Sequence, residues 1–238
     1  TGPLGQGVAN AVGMAMAARF VTGLLANKSN SEKDKADCEQ LFSPNIWVLC
    51  SDGDLQEGIS AEASSLAGTQ ALGNLKVIYD DNRISIEGDT HLTFTEDVSA
   101  RYKSYGWKVF EVDKLTDGNV DRAGFEQAAI SALAINNQPV LIRLKSVIAW
   151  PAPAAQGTAK SHGSALGADE VAKTKKILGF NPDIDFEVDA KVLAHTRNVK
   201  DRGLALHKEW QSQFENWHKS NSEAAKLFDQ INSKELTS

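Results

Sequence analysis

Two turns carry the side chains best suited to chemistry. Asp52-Gly53 follows the apolar run Asn45 to Cys50, and Asn82 follows the run Leu75 to Tyr79, 30 residues after Asp52. If the two runs are neighbouring strands, a carboxylate and an amide oxygen converge at one edge of a sheet. Hard oxygens of this kind suit Mg2+ or Ca2+, and Mg2+ keeps few protein ligands while binding substrate phosphates. A helix opening near Glu57 would turn its positive end toward such an anion. The opening stretch Gly2-Pro3-Leu4-Gly5-Gln6-Gly7 puts three glycines before a further helix, where backbone can approach an anionic ligand closely. Taken singly, each of these reads as well as an ordinary turn; the paired spacing is what favours a site.

A third candidate is His162, in the stretch Gly157 to Gly163. Its small neighbours leave room at a cleft, and imidazole transfers protons near neutrality. A lone loop histidine is also well explained as a solvated one. His91 has no nameable partner, and His195, His207 and His218 fall on helical stretches as solvated faces. Cys38 reads as a loop residue and Cys50 as a small buried apolar group, with no activating base near either.

The elements that must position these residues follow from periodicity. Val8, Val12, Met16, Phe20 and Leu24 recur every fourth residue and predict a helix. Asn27 to Glu39 is polar and reads as a surface loop. Asn45 to Cys50 is a continuous apolar run after its first residue, as in a strand buried on both faces. Helix is expected over Glu57 to Leu72, strand over Leu75 to Tyr79, helix over Val98 to Tyr105 and strand over Trp107 to Val112. Helix over Val120 to Asn136 and strand over Val140 to Val147 follow. Alternation of this kind implies an α/β fold with a mainly parallel sheet and helices on both faces, with ligands beyond the carboxyl ends of the strands. Ala149 to Gly167 is a long loop without periodicity. Helices follow over Ala168 to Leu178, closed by Gly179, over Asp189 to Lys219, and over Ser222 to Ile231.

Composition sets the limits. The 238 residues are 42% hydrophobic and 24% charged, with 25 basic against 31 acidic side chains and a net charge of −6. That balance fits one large domain and argues against a general nucleic-acid binder. No spanning helix is expected, and no membrane partner. Two cysteines without CxxC spacing suit a reducing, cytoplasmic setting. The opening Thr1-Gly2-Pro3, with no methionine and no signal pattern, reads as the interior of a longer chain.

Four motifs together carry a family resemblance. Asp52-Gly53 with Asn82 resembles the thiamine-diphosphate signature, and around it stand Thr1 to Gly7, Leu55 to Gly68, Leu72 to Gly88 and Lys160 to Val171. In content and order these are similar to the transketolase family, over nearly the whole chain. The resemblance implies the diphosphate-binding (PP-type) domain of the thiamine-diphosphate-binding fold across 1–238. Its first segment would be missing, and a helical extension would run from about 168 to 238. The pyrimidine-binding and C-terminal domains would be absent.

The resemblance also implies roles. Thiamine diphosphate and Mg2+ (or Ca2+ or Mn2+) would be the cofactors. Asp52, Asn82 and the Ile84 carbonyl match metal ligands. Gly53 meets the diphosphate, while Gly2, Pro3 and Leu4 lie along the cofactor. Ile86 sits near the thiazolium ring, His162 contacts cofactor and sugar, and Glu57 faces a dimer interface. The activity implied is transfer of a two-carbon ketol unit between sugar phosphates, as in the pentose phosphate pathway and Calvin cycle, by a homodimer with its site between subunits. The chain alone would be inactive, because the partner's pyrimidine domain supplies an activating glutamate. A non-catalytic cofactor-binding module and a dihydroxyacetone synthase are the alternatives. Two departures stand out: Ser51 replaces a glycine, which a negative φ would accommodate, and Asp54 adds a carboxylate beside the diphosphate unless it points away.

Overall fold

Four extended segments pair as one parallel sheet in the order β1 (Ile46–Ser51), β2 (Leu75–Asp81), β6 (Val140–Lys145) and β3 (Lys108–Val112). In this computed structural model of the chain, residues 2–29 and 31–233 are described; Thr1, the first residue of the opening motif, lies outside them. Register aligns Ser51 with Asp80, and Asp81 with Lys145, so the loops that follow β1, β2 and β6 leave from one edge. Helices α3 (Asp52–Gln56), α4 (Gly58–Thr69), α5 (Val98–Ser104) and α6 (Arg122–Leu133) connect and flank these strands. The expected α/β architecture is therefore present. Two short strands, β4 (Leu115–Thr116) and β5 (Asn119–Val120), form a hairpin absent from the sequence reading. Asp117 and Gly118 both take positive φ in its turn, the backbone that such tight hairpins demand.

β2, at the centre, is buried along most of its length, and its central neighbour β6 is buried over its first three residues, Val140 to Ile142. β1 departs from expectation. Among the described residues it pairs with β2 alone, and its burial alternates, leaving Leu49 68% exposed. An unbroken apolar run does not distinguish a strand with one covered face from one with two. Glycines set two close approaches: a methyl at Gly68 would overlap the Tyr105 carbonyl, and one at Gly73 the Asn136 backbone.

The chain divides into two units, residues 1–15 with 45–187, and residues 16–44 with 188–238. The first holds the sheet. Helix α1 (Gln6–Ala26) contributes its first part to this unit, burying Val8, Ala11, Val12 and Ala15. The every-fourth-residue pattern drifts, because 12 residues from Val8 to Phe20 rotate the side chain about 120° on a 3.6-residue helix. Phe20 is exposed as a result. Contrary to the composition reading, α1 is long and apolar enough to cross a membrane by length and composition alone. A core helix meets the same criterion, and the buried face of α1 is of that kind.

The second unit packs α2 (Glu32–Phe42) with α8 (Ala190–Ser220) and α9 (Ser222–Ser233). The expected loop over Asn27 to Glu39 is largely α2 instead. Ser31 caps it by accepting from the Asp34 amide, and the acidic first turn suits the helix dipole. Cys38 is consequently a core residue, with Trp217 Nε1 3.2 Å from its Sγ. Two helix histidines also have neighbours. His218 Nε2 lies 3.2 Å from both Asp229 oxygens, and His207 stacks on Trp210. The remaining helix, α7 (Ala168–Ile177), lies in the first unit and ends, as expected, before Gly179 at positive φ.

Candidate functional site

Adjacent parallel strands bring the two sequence turns together. Asp52 opens α3 directly after β1 and is 2% exposed. Its Oδ1 accepts from the Tyr79 hydroxyl at 2.7 Å, and its Oδ2 accepts from the Arg83 amide at 3.2 Å. Asp52 is thus tied to the residue next to Asn82. Asn82 Oδ1 accepts from the Ile84 amide at 3.0 Å. Ile84 faces Asp89 across an antiparallel bridge whose hydrogen bonds are made by the flanking residues. In a pair of this kind the amide and carbonyl of Ile84 turn away from Asp89, toward the Asn82 side. Asn82 and Ile84 are both half-buried, whereas Ile86 stands 68% exposed beyond them.

The opening segment docks on the same turn. A methyl added at Gly53 would lie 3.3 Å from Leu4 Cδ1, so Leu4 rests against Gly53. Gly5 has φ +76, and a methyl there would press on Ser60, Ile59 and Glu57 at 2.8 to 3.0 Å. Only glycine combines that backbone with so little space. The Gly5 amide donates to Asp54 Oδ1 at 2.9 Å. Asp54 Oδ2 accepts from the Ser51 amide at 3.0 Å and from Ser51 Oγ at 3.2 Å. The unexpected carboxylate therefore points into backbone amides as half of a capping box. Ser51 has φ −122, an extended value open to any residue. Gly2 and Pro3 precede this docked stretch and are exposed, as is Glu57, which links α3 to α4.

The electrostatics of the strand ends are dominated by carboxylates. Burial pushes the Asp52 carboxyl above its usual range, with the charges of Asp81 and Asp80 adding to the effect. The Tyr79 hydroxyl and the Arg83 amide oppose it. The Cys50 thiol is pushed up by burial and then by Asp54, Asp52 and Asp80, which leaves it neutral and unreactive. The two nearby guanidinium groups are engaged elsewhere: Arg83 Nε lies 3.4 Å from Asp81, and Arg143 pairs with Asp81, Glu111 and Asp113. Among the described residues no cationic side chain pairs with Asp52.

A buried carboxylate beside others, without a cation of its own, fits a divalent metal. The donor set of one carboxylate, one amide oxygen and one backbone carbonyl is hard throughout and suits Mg2+ or Ca2+. No group of three or more His, Cys, Asp or Glu suited to a metal exists among the described residues. The set of one carboxylate, one amide oxygen and one backbone carbonyl lies outside that search, because only one of its three donors is a carboxylate.

A cavity of about 460 Å3 adjoins Asp52 on another side, lined by Tyr79, Asp81, Arg83, Glu111 and Arg143 among others. Gly53, Asn82, Ile84 and Ile86 do not line it. With Asp89, Glu96 and Asp97 also in its wall, its carboxylates outnumber its cations, which is unsuited to a diphosphate.

His162 ends a short 3-10 turn, Ala159–His162, and is exposed. Its loop follows β6 and so leaves from the same edge of the sheet as Asp52 and Asn82. His91 does have a partner, contrary to expectation. Its Nδ1 lies 2.9 Å from Asp89 Oδ1, and its backbone amide, donating to the same carboxylate, holds Asp89 below the usual range. Tyr79 and Asp54 were missed as supporting residues because their partners lie 27 and 49 residues away. The S-x-x-D spacing of Ser51 and Asp54 was the available signal for a cap.

Residues 1–237 match the family model described as the thiamine diphosphate binding domain of transketolase. The chain is 48% identical over 236 residues to the transketolase of Mycobacterium leprae, covering 99% of this chain and 32% of that protein. It is 40% identical over 220 residues to transketolase 1 of Saccharomyces cerevisiae, covering 92% and 30% respectively. Its fold resembles the Pichia stipitis transketolase solved in complex with sedoheptulose 7-phosphate. The TM-score is 0.85 at 38% identity, covering 98% of this chain and 33% of that one. The transketolase of Campylobacter jejuni gives 0.82 at 36% identity, with the same coverage. The chain spans about a third of the length of the relatives it matches.

Proposed function

Because the chain belongs to the transketolase family, over its thiamine diphosphate binding domain, we propose that it forms the metal and diphosphate half of a ketol-transferring site. Asp52, Asn82 and the Ile84 carbonyl hold a divalent cation, Mg2+ or alternatively Ca2+ or Mn2+. The Gly53 amide meets the diphosphate, Gly2, Pro3 and Leu4 lie along the cofactor, and Ile86 offers an apolar surface to its ring. When bound, thiamine diphosphate supplies the carbanion-stabilising chemistry by which a carbon–carbon bond is broken and remade. His162 hydrogen-bonds to sugar oxygens whose charge changes during the reaction, and holds or passes a proton there. The substrates are a ketose phosphate donor and an aldose phosphate acceptor.

Glu57, exposed between α3 and α4, faces a second subunit, so the site is completed in a homodimer. The 238 residues are the diphosphate-binding domain, to which a further, pyrimidine-binding domain adds the activating glutamate. The cytoplasm and pentose phosphate metabolism are the setting that goes with this reading.

One observation carries the proposal: a buried Asp52 that has no cationic partner among the described residues, flanked by Leu4 packed on Gly53 and by the Asn82–Ile84 turn. An anionic protein holding a diphosphate needs a dication between them. The test is calorimetric titration of thiamine diphosphate, with and without Mg2+, into the full-length protein and its Asp52→Ala variant. Loss of the Mg2+-dependent affinity in the variant is expected. Equal affinity in both proteins would refute the site.

A further inference from the structure

The loop that carries His162 is held by a carboxylate that no role above uses. Glu170, in the first turn of α7, is 9% exposed, and its Oε1 accepts from the Ala154 amide at 2.5 Å and the Ala155 amide at 3.1 Å. The connection continues toward the histidine. The Ala155 carbonyl accepts from the Thr158 amide at 3.2 Å and from Thr158 Oγ1 at 2.7 Å. The Thr158 carbonyl accepts from the Ser161 amide at 3.2 Å and from Ser161 Oγ at 2.6 Å. Ser161 precedes His162. An unbroken run of hydrogen bonds and peptide units thus joins the buried carboxylate to the imidazole-bearing residue.

Two further facts indicate that this run has a specific task. A cavity of about 260 Å3 is lined by Ala154, Ala155, Thr158, Ser161, Leu166 and Glu170 among others, so the anchoring carboxylate and the loop it holds border the same open space. Glu170 also has no cationic partner among the described residues. A buried carboxyl group must find hydrogen-bond partners inside the protein, and for Oε1 these are the Ala154 and Ala155 amides. A loop with no required shape would gain from a neutral residue at this position.

We propose that Glu170 is a positioning residue, which holds the loop between β6 and α7 in the shape that presents His162 to the reacting sugar. The proposal rests on the reading of His162 given above. It places the anchor 8 residues beyond the histidine in sequence, on the next helix.

The test is a double-mutant cycle in the full-length, cofactor-loaded enzyme. Glu170→Ala, His162→Ala and the pair are assayed for ketol transfer, with amide exchange followed at Ala154 and Ala155. Glu170→Ala should lower kcat by about ten- to a hundredfold, as misplacement by an ångström does. The KM for thiamine diphosphate should change less than about threefold, because the metal and diphosphate residues are untouched. Glu170→Gln keeps an acceptor and should recover most of the rate. In the His162→Ala background, Glu170→Ala should cost under about threefold, because it acts through the imidazole.

Multiplicative losses in the pair, or an unchanged kcat despite faster exchange, would overturn the proposal. Unchanged exchange at Ala154 and Ala155 in Glu170→Ala would overturn the anchor itself, independently of His162. A His162→Ala enzyme with normal kcat would instead sink the reading of the histidine. Should Glu170→Ala not fold, Glu170→Asp, one methylene too short to reach both amides, takes its place in the same cycle.

Discussion

Replacing Asp54 by alanine should detach the opening segment from the strand ends. The carboxylate makes three hydrogen bonds, to the Gly5 amide at 2.9 Å, the Ser51 amide at 3.0 Å and Ser51 Oγ at 3.2 Å. Its removal orphans two backbone amides that are partly shielded from water. Orphaned buried groups cost about 1–3 kcal/mol each, and partial solvation lowers that, so a loss of about 3 kcal/mol is expected. For a chain of this size each kcal/mol lowers the melting temperature by about 2–4 °C, which gives a fall of about 6–12 °C. Asp54→Asn keeps an acceptor for Gly5 but sets its NH2 against the Ser51 amide, and should fall between the two. Because Leu4 rests on Gly53 only while Gly5 is held, thiamine diphosphate affinity should weaken alongside stability. Calorimetric melting, with amide exchange at Gly5, measures the first effect, and titration in Mg2+ the second. An Asp54→Ala protein that melts within about 2 °C of the parent, with Gly5 equally protected, would refute the reasoning.

Three other perturbations test the energetics of the same region. Asp52→Asn should raise the metal-free melting temperature at pH 7 while abolishing Mg2+-dependent cofactor binding, since burial lifts the Asp52 carboxyl and makes its charge costly when folded. That cost exists above the folded value and disappears as pH falls below the ordinary one, so the gain should shrink toward acid; a lower melting point in chelator at pH 7 would contradict it. Lys76 is buried with its amine on the Gly73 and Ile135 carbonyls, and burial lowers it to about 8. Between that value and the ordinary lysine range the unfolded chain retains a proton that the native one has lost, so stability should rise with pH there. Urea midpoints at pH 7.5 and 9.5 should show that rise in the parent and not in Lys76→Met, and parallel shifts would disprove it. Gly68→Ala should cost more than about 3 kcal/mol, because its methyl would overlap a backbone carbonyl that has no rotamer to yield. A soluble variant with near-parental melting would show that α4 and the residue 105–107 turn separate easily.

The acidic strand ends bear on the order of binding. Asp52, Asp80 and Asp81 gather at one edge of a chain that already carries a net charge of −6. A diphosphate approaching without a cation meets like charge, whereas a dication approaching first relieves the repulsion among carboxylates. If the site binds as proposed, metal before diphosphate, or the two as a complex, is the order that this charge distribution favours.

Much of the candidate site's placement was legible because its turns are local features. Gly53 after Asp52, and Asn82 after the second strand, are punctuation at strand ends, written in residues whose turn preferences hold before folding. The short apolar segments of β2, β3 and β6 were equally plain, because each is too short for a helix, rich in β-branched or aromatic residues and bounded by polar turns. The same local logic misjudged residues whose environment is set elsewhere. The polar segment Glu32–Phe42 is helical because Ser31 caps it and Leu41 and Cys38 bury against Trp217 and Ala224, some 180 residues on. Leu49 is exposed because β1 ends the sheet, which no run of apolar letters states.

By itself, then, the amino-acid sequence determined the alternation of the four sheet strands with the helices between them, the turns that bear Asp52 and Asn82, and the family, but neither α2 nor the β4–β5 hairpin. Each depends on neighbours within a few residues or on wording read in series. Only the tertiary structure decided that β1 and β2 lie side by side, which brings the two turns together at one edge of the sheet. It also decided that Asp54 faces Gly5 rather than a diphosphate, that Tyr79 holds Asp52, and that Glu170 holds the His162 loop. Those partners lie 49, 27 and 16 residues apart. Hydrogen bonds over such separations exist only after the chain has closed its loops around a sheet, and nothing in the local spacing encodes which carboxylate each amide will meet.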